Sequence, residues 1–438
     1  LSTYLSRLRT DPVYFKGKEE IEHLMKRLPH GSRVLKLAER LKDSVKYLVV
    51  PGILFEELGF TYLGPIDGHD IDAIKAVLAS AKAVQGPVMV HLLTKKGKGY
   101  SPAEKKPDAF HGIGCFDPDT GIPIKKEGAP TYTAVFARTL TKLAADRPEV
   151  VAITAAMPAG TGLDHFARQH PRRFFDVGIA EQNAVTMAAG MASQGLKPVV
   201  AIYSTFLQRA FDQIIHDVCM QELPVVFALD RSGIVGEDGE THQGVFDLSY
   251  LRLIPNMVLM VPKDENELQH MLVTALNHNG PIAVRYPRGN GMGVPMDESP
   301  VPIPIGKALV EADGEDIAIL AVGPHVYTAL TVRQRLAEAG IKAAVVNCRF
   351  VKPLDEKLLS QIALKFKKIL TIEENVLDGG FGSGVLEFIE QQGIRNVEVV
   401  RVGLPDKFIE HGVSNLLREE YGLSVEAILN TIKDRFGN

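Results

Sequence analysis

The 438-residue sequence contains no tryptophan and only three cysteines, Cys115, Cys219 and Cys348. An odd number of widely separated cysteines fits neither a disulfide framework nor a compact metal knuckle, and it points to a reducing, cytoplasmic setting. No uninterrupted apolar run reaches membrane-spanning length, and the opening LSTYLSRLRTDPVYFKGKEE has the pattern of neither a signal peptide nor an anchor. No sign of charge dominates: a formal net charge of -4 gives no global reason to expect nucleic acid or an anionic membrane as partner. Local basic clusters remain open to small phosphates. Zinc-ligand spacing, a Walker loop, a G-x-S-x-G elbow and an EF-hand are all missing. DGGFGSG at 378–384 lacks the spacing of a dinucleotide fingerprint, and a glycine-assisted strand-to-helix turn explains it more simply.

What is present is an α/β alternation. With 45% hydrophobic and 23% charged residues over this length, the chain reads as a globular protein of about three domains. Residues 1–100 carry helical periodicity through IEHLMKRL and SRVLKLAERLKDSVKYL, a helix at DAIKAVLASAKAVQ and one clear strand, PVMVHLL. One strand cannot make a sheet, so this first domain is expected to be incomplete, with further strands upstream. Residues 101–130, rich in Gly, Pro and charge, read as a connection. Between 131 and 300, VVAITAA, RFFDVG, PVVAIY, PVVFALD and NMVLMVP alternate with helical segments, which predicts a largely parallel, doubly wound sheet. Residues 301–438 repeat that style around IAILAVG, IKAAVVNC and KKILTIEE, with VEVVRVG as an edge strand.

Ligands in such folds sit beyond the strand C-termini, so the residues there carry the chemistry. Glu181 follows RFFDVGIA and opens a helix; it could be a favourable first-turn charge or a carboxyl that shares a proton with a bound ring nitrogen. Tyr203 and Phe206 follow PVVAI, where a flat ring could stack and a hydroxyl could meet a substrate, while Phe211 fits helix packing and Arg209 a surface or interface position. ALDRSGIVGEDGETHQG supplies Arg231, Asp238 and His242 in a stretch too long for a minimal turn. It could be a solvated loop, or a cation, a carboxylate and an imidazole that bind and protonate a phosphorylated carbonyl compound. Arg285 and Arg288 in AVRYPRG suit a phosphate dianion as a bidentate pair, although each alone fits a structural role. Lys95, Lys96 and Lys98 form either a solvated run or a face toward a diphosphate. His69, His111 and His216 fit local hydrogen bonding.

Together VPGILFEELGFTYLGPIDGHD, TKKGKGYSPAEKKPDAFHG, RFFDVGIAEQNAVTMAAGMA, YSTFLQRAFDQIIHDV, ALDRSGIVGEDGETHQG, RYPRG and LPDKFIEHG resemble the 1-deoxy-D-xylulose-5-phosphate synthases, within the transketolase-like thiamine-diphosphate enzymes, from end to end. The resemblance implies a decarboxylative condensation of pyruvate with D-glyceraldehyde 3-phosphate. Its product feeds isoprenoid, thiamine and pyridoxal precursor synthesis. It implies that Glu181 pairs with N1′ of the cofactor's aminopyrimidine, that Phe206 lines the ring pocket and that Lys96 lies close to the cofactor. Tyr203, Arg231 and Arg288 would hold the phosphate of the aldehyde, Asp238 and His242 would engage reacting oxygens, and His111 would sit near an active-site cover. A homodimer is the family expectation.

The same resemblance implies a Gly-Asp-Gly motif and a later Asn that hold Mg²⁺ with the diphosphate. Neither occurs here, so the metal ligands are expected upstream of Leu1, and a chain of these residues alone is expected to bind cofactor poorly and to be nearly inactive. Three rival readings are a ketol transferase using a ketose donor, the pyrimidine-side subunit of a two-chain 2-oxoacid dehydrogenase, and a non-catalytic scaffold built on the fold.

Overall fold

A computed structural model describes residues 52–124 and 128–437. The helices expected in IEHLMKRL and SRVLKLAERLKDSVKYL lie outside the described residues. The chain divides into two compact units, with the boundary between residues 126 and 127.

In the first unit, strand β1 (Thr61–Asp67) pairs in parallel with β2 (Val88–Leu93). Helix Ile71–Lys82 connects them, started by Asp70, whose carboxylate accepts the Ala73 N–H at 3.0 Å. Leu63, Ile66 and Val77 form the small core beneath that helix. Only β2 was expected from the sequence. Gly64 and Pro65 interrupt the apolar pattern of β1 and coincide with a shift in its register between Leu63 and Ile66, which hides the strand from a periodicity argument.

The second unit contains β3 (Val150–Thr154), β4 (Phe174–Asp176), β5 (Lys197–Tyr203), β6 (Val226–Ser232), β7 (Val258–Met260) and β8 (Ile282–Pro287). It continues with β9 (Leu309–Ala312), β10 (Ile317–Ala321), β11 (Ala343–Asn347), β12 (Phe350–Lys352), β13 (Lys368–Val376) and β14 (Glu398–Leu404). These build a seven-stranded sheet, β12-β7-β8-β6-β5-β3-β4, and a five-stranded sheet, β14-β13-β10-β11-β9. All neighbours run parallel except β12 against β7 and β9 against β11. β3, β5 and β10 are buried along their whole length, as expected of strands covered by helices on both faces. One continuous apolar core joins Ile153, Val200 and Phe227 of the first sheet to Leu320, Val346 and Phe381 beside the second.

In the second unit β9 and β12 were not among the expected strands, and two further details depart from the sequence reading. β8, a central strand, is absent from the expected set because its Arg285 and Pro287 interrupt a short apolar run. The segment after β5 is not one α-helix: it passes through short α and 3₁₀ turns and ends in a π-helix, Ile214–Cys219.

Candidate active site

Four strand ends bring the polar residues to one edge of the seven-stranded sheet. β4 ends at Asp176, whose Oδ1 accepts the Ala156 and Gly178 N–H groups at 2.8 and 3.0 Å and so pins the turn that delivers Glu181. Glu181 opens helix Glu181–Ser193 and is only 5% exposed. β5 ends at Tyr203, with Phe206 in the turn behind it. β6 runs through Arg231, which adopts the left-handed φ of +58°, a costly conformation for a side chain of that size. Gly233 and Gly244 then exchange backbone hydrogen bonds of 2.7 and 2.8 Å and close the loop that carries Asp238 and His242. Arg288 follows β8.

The side chains make one connected chain. Arg209 Nη1 donates to Glu181 Oε1 at 2.6 Å, and its guanidinium carbon lies 4.8 Å from the centre of the Phe206 ring. Phe206 stacks on Tyr203 at 5.9 Å and meets His242 edge to face at 5.3 Å. The Arg231 guanidinium covers the Tyr203 ring at 4.1 Å and ion-pairs with Asp238. Arg288 approaches the other Asp238 oxygen at 3.5 Å and donates to the Val235 carbonyl at 3.0 Å. Arg288 also lies 3.3 Å from Glu237 Oε2, so the two guanidinium groups are balanced by two carboxylates, which a dianionic ligand has to displace to take up the forks. Burial pushes the Tyr203 phenol above its usual range, opposed by Arg231, so the hydroxyl stays a donor at neutral pH.

Behind this row Asp230 is completely buried. Burial pushes its carboxyl up to about 7, against the opposing pull of the Thr133 hydroxyl, which donates to Oδ2 at 2.7 Å. Among the described residues no cluster of three or more His, Cys, Asp or Glu could hold a metal ion, and no helix is long and apolar enough to cross a membrane.

Family models match three stretches: 1-deoxy-D-xylulose-5-phosphate synthase over residues 1–94, the transketolase pyrimidine-binding domain over 128–293, and the transketolase C-terminal domain over 306–428. The chain is 62% identical over 436 residues to the 1-deoxy-D-xylulose-5-phosphate synthase of Pelotomaculum thermopropionicum, covering 100% of this chain and 68% of that protein. It is 60% identical to the enzyme of the same name from Desulforudis audaxviator, covering 98% of this chain and 68% of the relative. The chain belongs to the 1-deoxy-D-xylulose-5-phosphate synthase family. A solved split-gene transketolase, an inactive β4 tetramer, superposes with a TM-score of 0.62 at 32% identity, covering 70% of this chain and 98% of that one.

Within this synthase-family chain the structure brings together Glu181, Tyr203, Phe206, Arg231, Asp238, His242 and Arg288. Lys96 belongs to the other compact unit, where its ammonium donates to His111 Nδ1 at 2.8 Å. His69 accepts the Lys95 N–H at 2.8 Å, and His216 pairs with Asp217 on the surface, both local roles.

The expected Arg285–Arg288 pair is not formed. Arg285 is buried, donating to Asp247 Oδ1 at 2.8 Å and to the Glu374 carbonyl at 2.7 Å, so its charge is already neutralised inside the fold. Arg209, expected at a surface or an interface, is exposed, and it is also the partner of Glu181, which the sequence did not show. Gly160 was missed entirely: a Cβ built there would lie 1.8 Å from Tyr203 Oη. Its sequence neighbourhood, PAGTG, offers no signal that an aromatic hydroxyl will arrive there.

Proposed function

We propose that this chain catalyses the thiamine-diphosphate-dependent condensation of pyruvate with D-glyceraldehyde 3-phosphate, giving 1-deoxy-D-xylulose 5-phosphate and carbon dioxide. The observation that carries the proposal is the continuous row from the buried Glu181 carboxylate, past the Phe206 ring, to the paired guanidinium groups of Arg231 and Arg288. A buried carboxylate linked through Arg209 to an aromatic face fits the aminopyrimidine end of the cofactor. When bound, the cofactor's thiazolium supplies the electron sink for decarboxylation.

Glu181 holds a proton at the pyrimidine ring nitrogen, and Arg209 fixes the orientation of its carboxylate. Tyr203, Arg231 and Arg288 hold the aldehyde's phosphate, which sets the acceptor carbonyl at a fixed distance from the phosphate-binding end. Asp238 and His242, the latter resting on Phe206, are assigned to the reacting oxygens, His242 moving the proton that the new alkoxide requires. Lys96 is assigned to the cofactor as a cation facing the diphosphate. Mg²⁺ accompanies that diphosphate, and we assign it no ligand among the described residues. The assembly proposed is a cytoplasmic homodimer.

Replacing Arg288 by Met tests the phosphate assignment. The KM for D-glyceraldehyde 3-phosphate rises about 10- to 100-fold, as expected for loss of a charged hydrogen bond, while turnover of unphosphorylated D-glyceraldehyde changes little. Equal effects on both aldehydes contradict the assignment.

A further inference from the structure

The substrate loop is held from below by a carboxylate that touches none of the residues assigned to substrate. Glu374, at the end of β13, is 8% exposed and has both oxygens fully engaged. Oε1 accepts the Ile234 N–H at 2.6 Å and Arg418 Nη2 at 3.1 Å. Oε2 accepts Arg418 Nε at 2.9 Å and His325 Nε2 at 2.7 Å. Burial alone would push this carboxyl up, but Arg418 and His325 outweigh it and hold it well below the usual carboxylate range. It therefore stays charged at neutral pH.

Ile234 follows Gly233, the residue that closes the loop against Gly244, and a Cβ on Gly233 would come within 2.6 Å of Glu374 Oε1. The fit between carboxylate and loop backbone thus leaves no room for a side chain. Neighbouring contacts extend the clasp: the Val376 N–H donates to the Val245 carbonyl at 2.9 Å, and Gln243 Oε1 accepts the Val235 N–H at 2.8 Å while its amide donates to the Glu410 carbonyl at 3.0 Å. Every one of these bonds reaches the loop's base. At its far side Asp238 is held by Arg231 and Arg288, while His242 rests on Phe206 and shares a hydrogen bond with Thr241, whose carbonyl accepts the Thr205 hydroxyl at 3.1 Å.

We propose that Glu374 is a positioning residue for the phosphorylated acceptor, fixing the base of the 233–244 loop so that Arg231, Arg288, Asp238 and His242 hold one mutual geometry. The inference rests on the reading that these four residues engage the phosphorylated aldehyde. Glu374 acts through the Ile234 N–H and needs no contact with substrate. A displacement of about 1 Å at the loop's far side is enough to cost on the order of 10²-fold in turnover.

The test uses the holoenzyme and a cycle of Glu374→Gln with Arg288→Met. Glu374→Gln is expected to raise the KM for D-glyceraldehyde 3-phosphate by at least about tenfold, with the KM for pyruvate within about twofold of the parent. In the Arg288→Met background the same change is expected to add less than about threefold, because the geometry it protects is already lost. Glu374→Gln/Arg418→Met removes both charges of the pair and carries the test if the single variant fails to fold. An acceptor KM within about twofold of the parent, or strict additivity with Arg288→Met, overturns the proposal. Failure of both Glu374 variants to fold also overturns it, because Glu374 would then be a determinant of folding. If Arg288→Met itself leaves the acceptor KM unchanged, the reading of the site fails; if Arg288→Met acts and Glu374→Gln is silent, only the positioning role fails.

Discussion

Gly160→Ala is the most local perturbation that the geometry allows. A Cβ at that position would meet Tyr203 Oη at 1.8 Å, Cζ at 2.8 Å and Cε1 at 3.3 Å. The Gly160 backbone lies outside the left-handed region, so alanine is acceptable to the main chain and the conflict is purely steric. Relief requires the phenol to retreat by at least roughly 1.6 Å to reach ordinary contact distance, and Tyr203 cannot do so alone, being stacked on Phe206 and covered by Arg231. Overpacking of this kind costs about 1–3 kcal/mol of stability, and a 1 Å displacement in the site lowers turnover by about 10²-fold. Chemical denaturation and steady-state kinetics with D-glyceraldehyde 3-phosphate measure the two effects. Because the shortest contact is to the hydroxyl oxygen, Tyr203→Phe relieves most of the clash, and Gly160→Ala/Tyr203→Phe is expected to be more stable than the two single effects add up to. A Gly160→Ala variant with parental stability and kinetics, or a double variant that is strictly additive, refutes the reasoning.

Other expectations follow from the same geometry. Glu181→Gln lowers kcat by about 10²- to 10⁴-fold in pyruvate turnover; the unfolding midpoint moves little, because the Arg209 side chain left behind is 51% exposed and keeps its water. Asp230 gives a pH signature: its folded-state value of about 7 stands above the ordinary 3.8, so the folded protein binds the proton more tightly. Its contribution is full below the ordinary value and is lost as pH rises through about 7, at about 1.4 kcal/mol per pH unit in between. Asp230→Asn removes that slope in denaturation curves taken between pH 5 and pH 8, and an unchanged slope contradicts the assignment. Arg285→Met strands the buried Asp247 carboxylate and destabilises the fold by about 3–5 kcal/mol, whereas a loss below about 1 kcal/mol would reopen a role for Arg285 at the ligand.

Among the described residues most helices and the long buried strands were legible because their periodicity is local. PVVAIY and PVVFALD become β5 and β6 without ambiguity, and the polar residues just beyond them lie at the edge where a doubly wound sheet places its ligands. What escaped depends on partners distant in sequence. β8 reads as broken by Arg285 until Asp247, 38 positions away, is seen to neutralise that charge. β12 is three residues long and joins the seven-stranded sheet beside β7, although the strands on either side of it in sequence belong to the five-stranded sheet, so nothing in FVK announces it. Arg209 reads as a surface cation, and it is exposed; what escaped is its pairing with Glu181, which forms only once both helical segments are packed. Glu374 sits inside ILTIEENV as an apparent interruption of a strand, and its meaning comes from Arg418, His325 and the loop it holds.

The most direct test of the central claim is product analysis of the holoenzyme supplied with pyruvate and D-glyceraldehyde 3-phosphate, with a phosphorylated ketose as the competing donor. The account predicts carbon dioxide and 1-deoxy-D-xylulose 5-phosphate in equal amounts from pyruvate, and little ketol transfer from the ketose. Faster transfer from the ketose, or carbon dioxide release that is never matched by the five-carbon product, would contradict it.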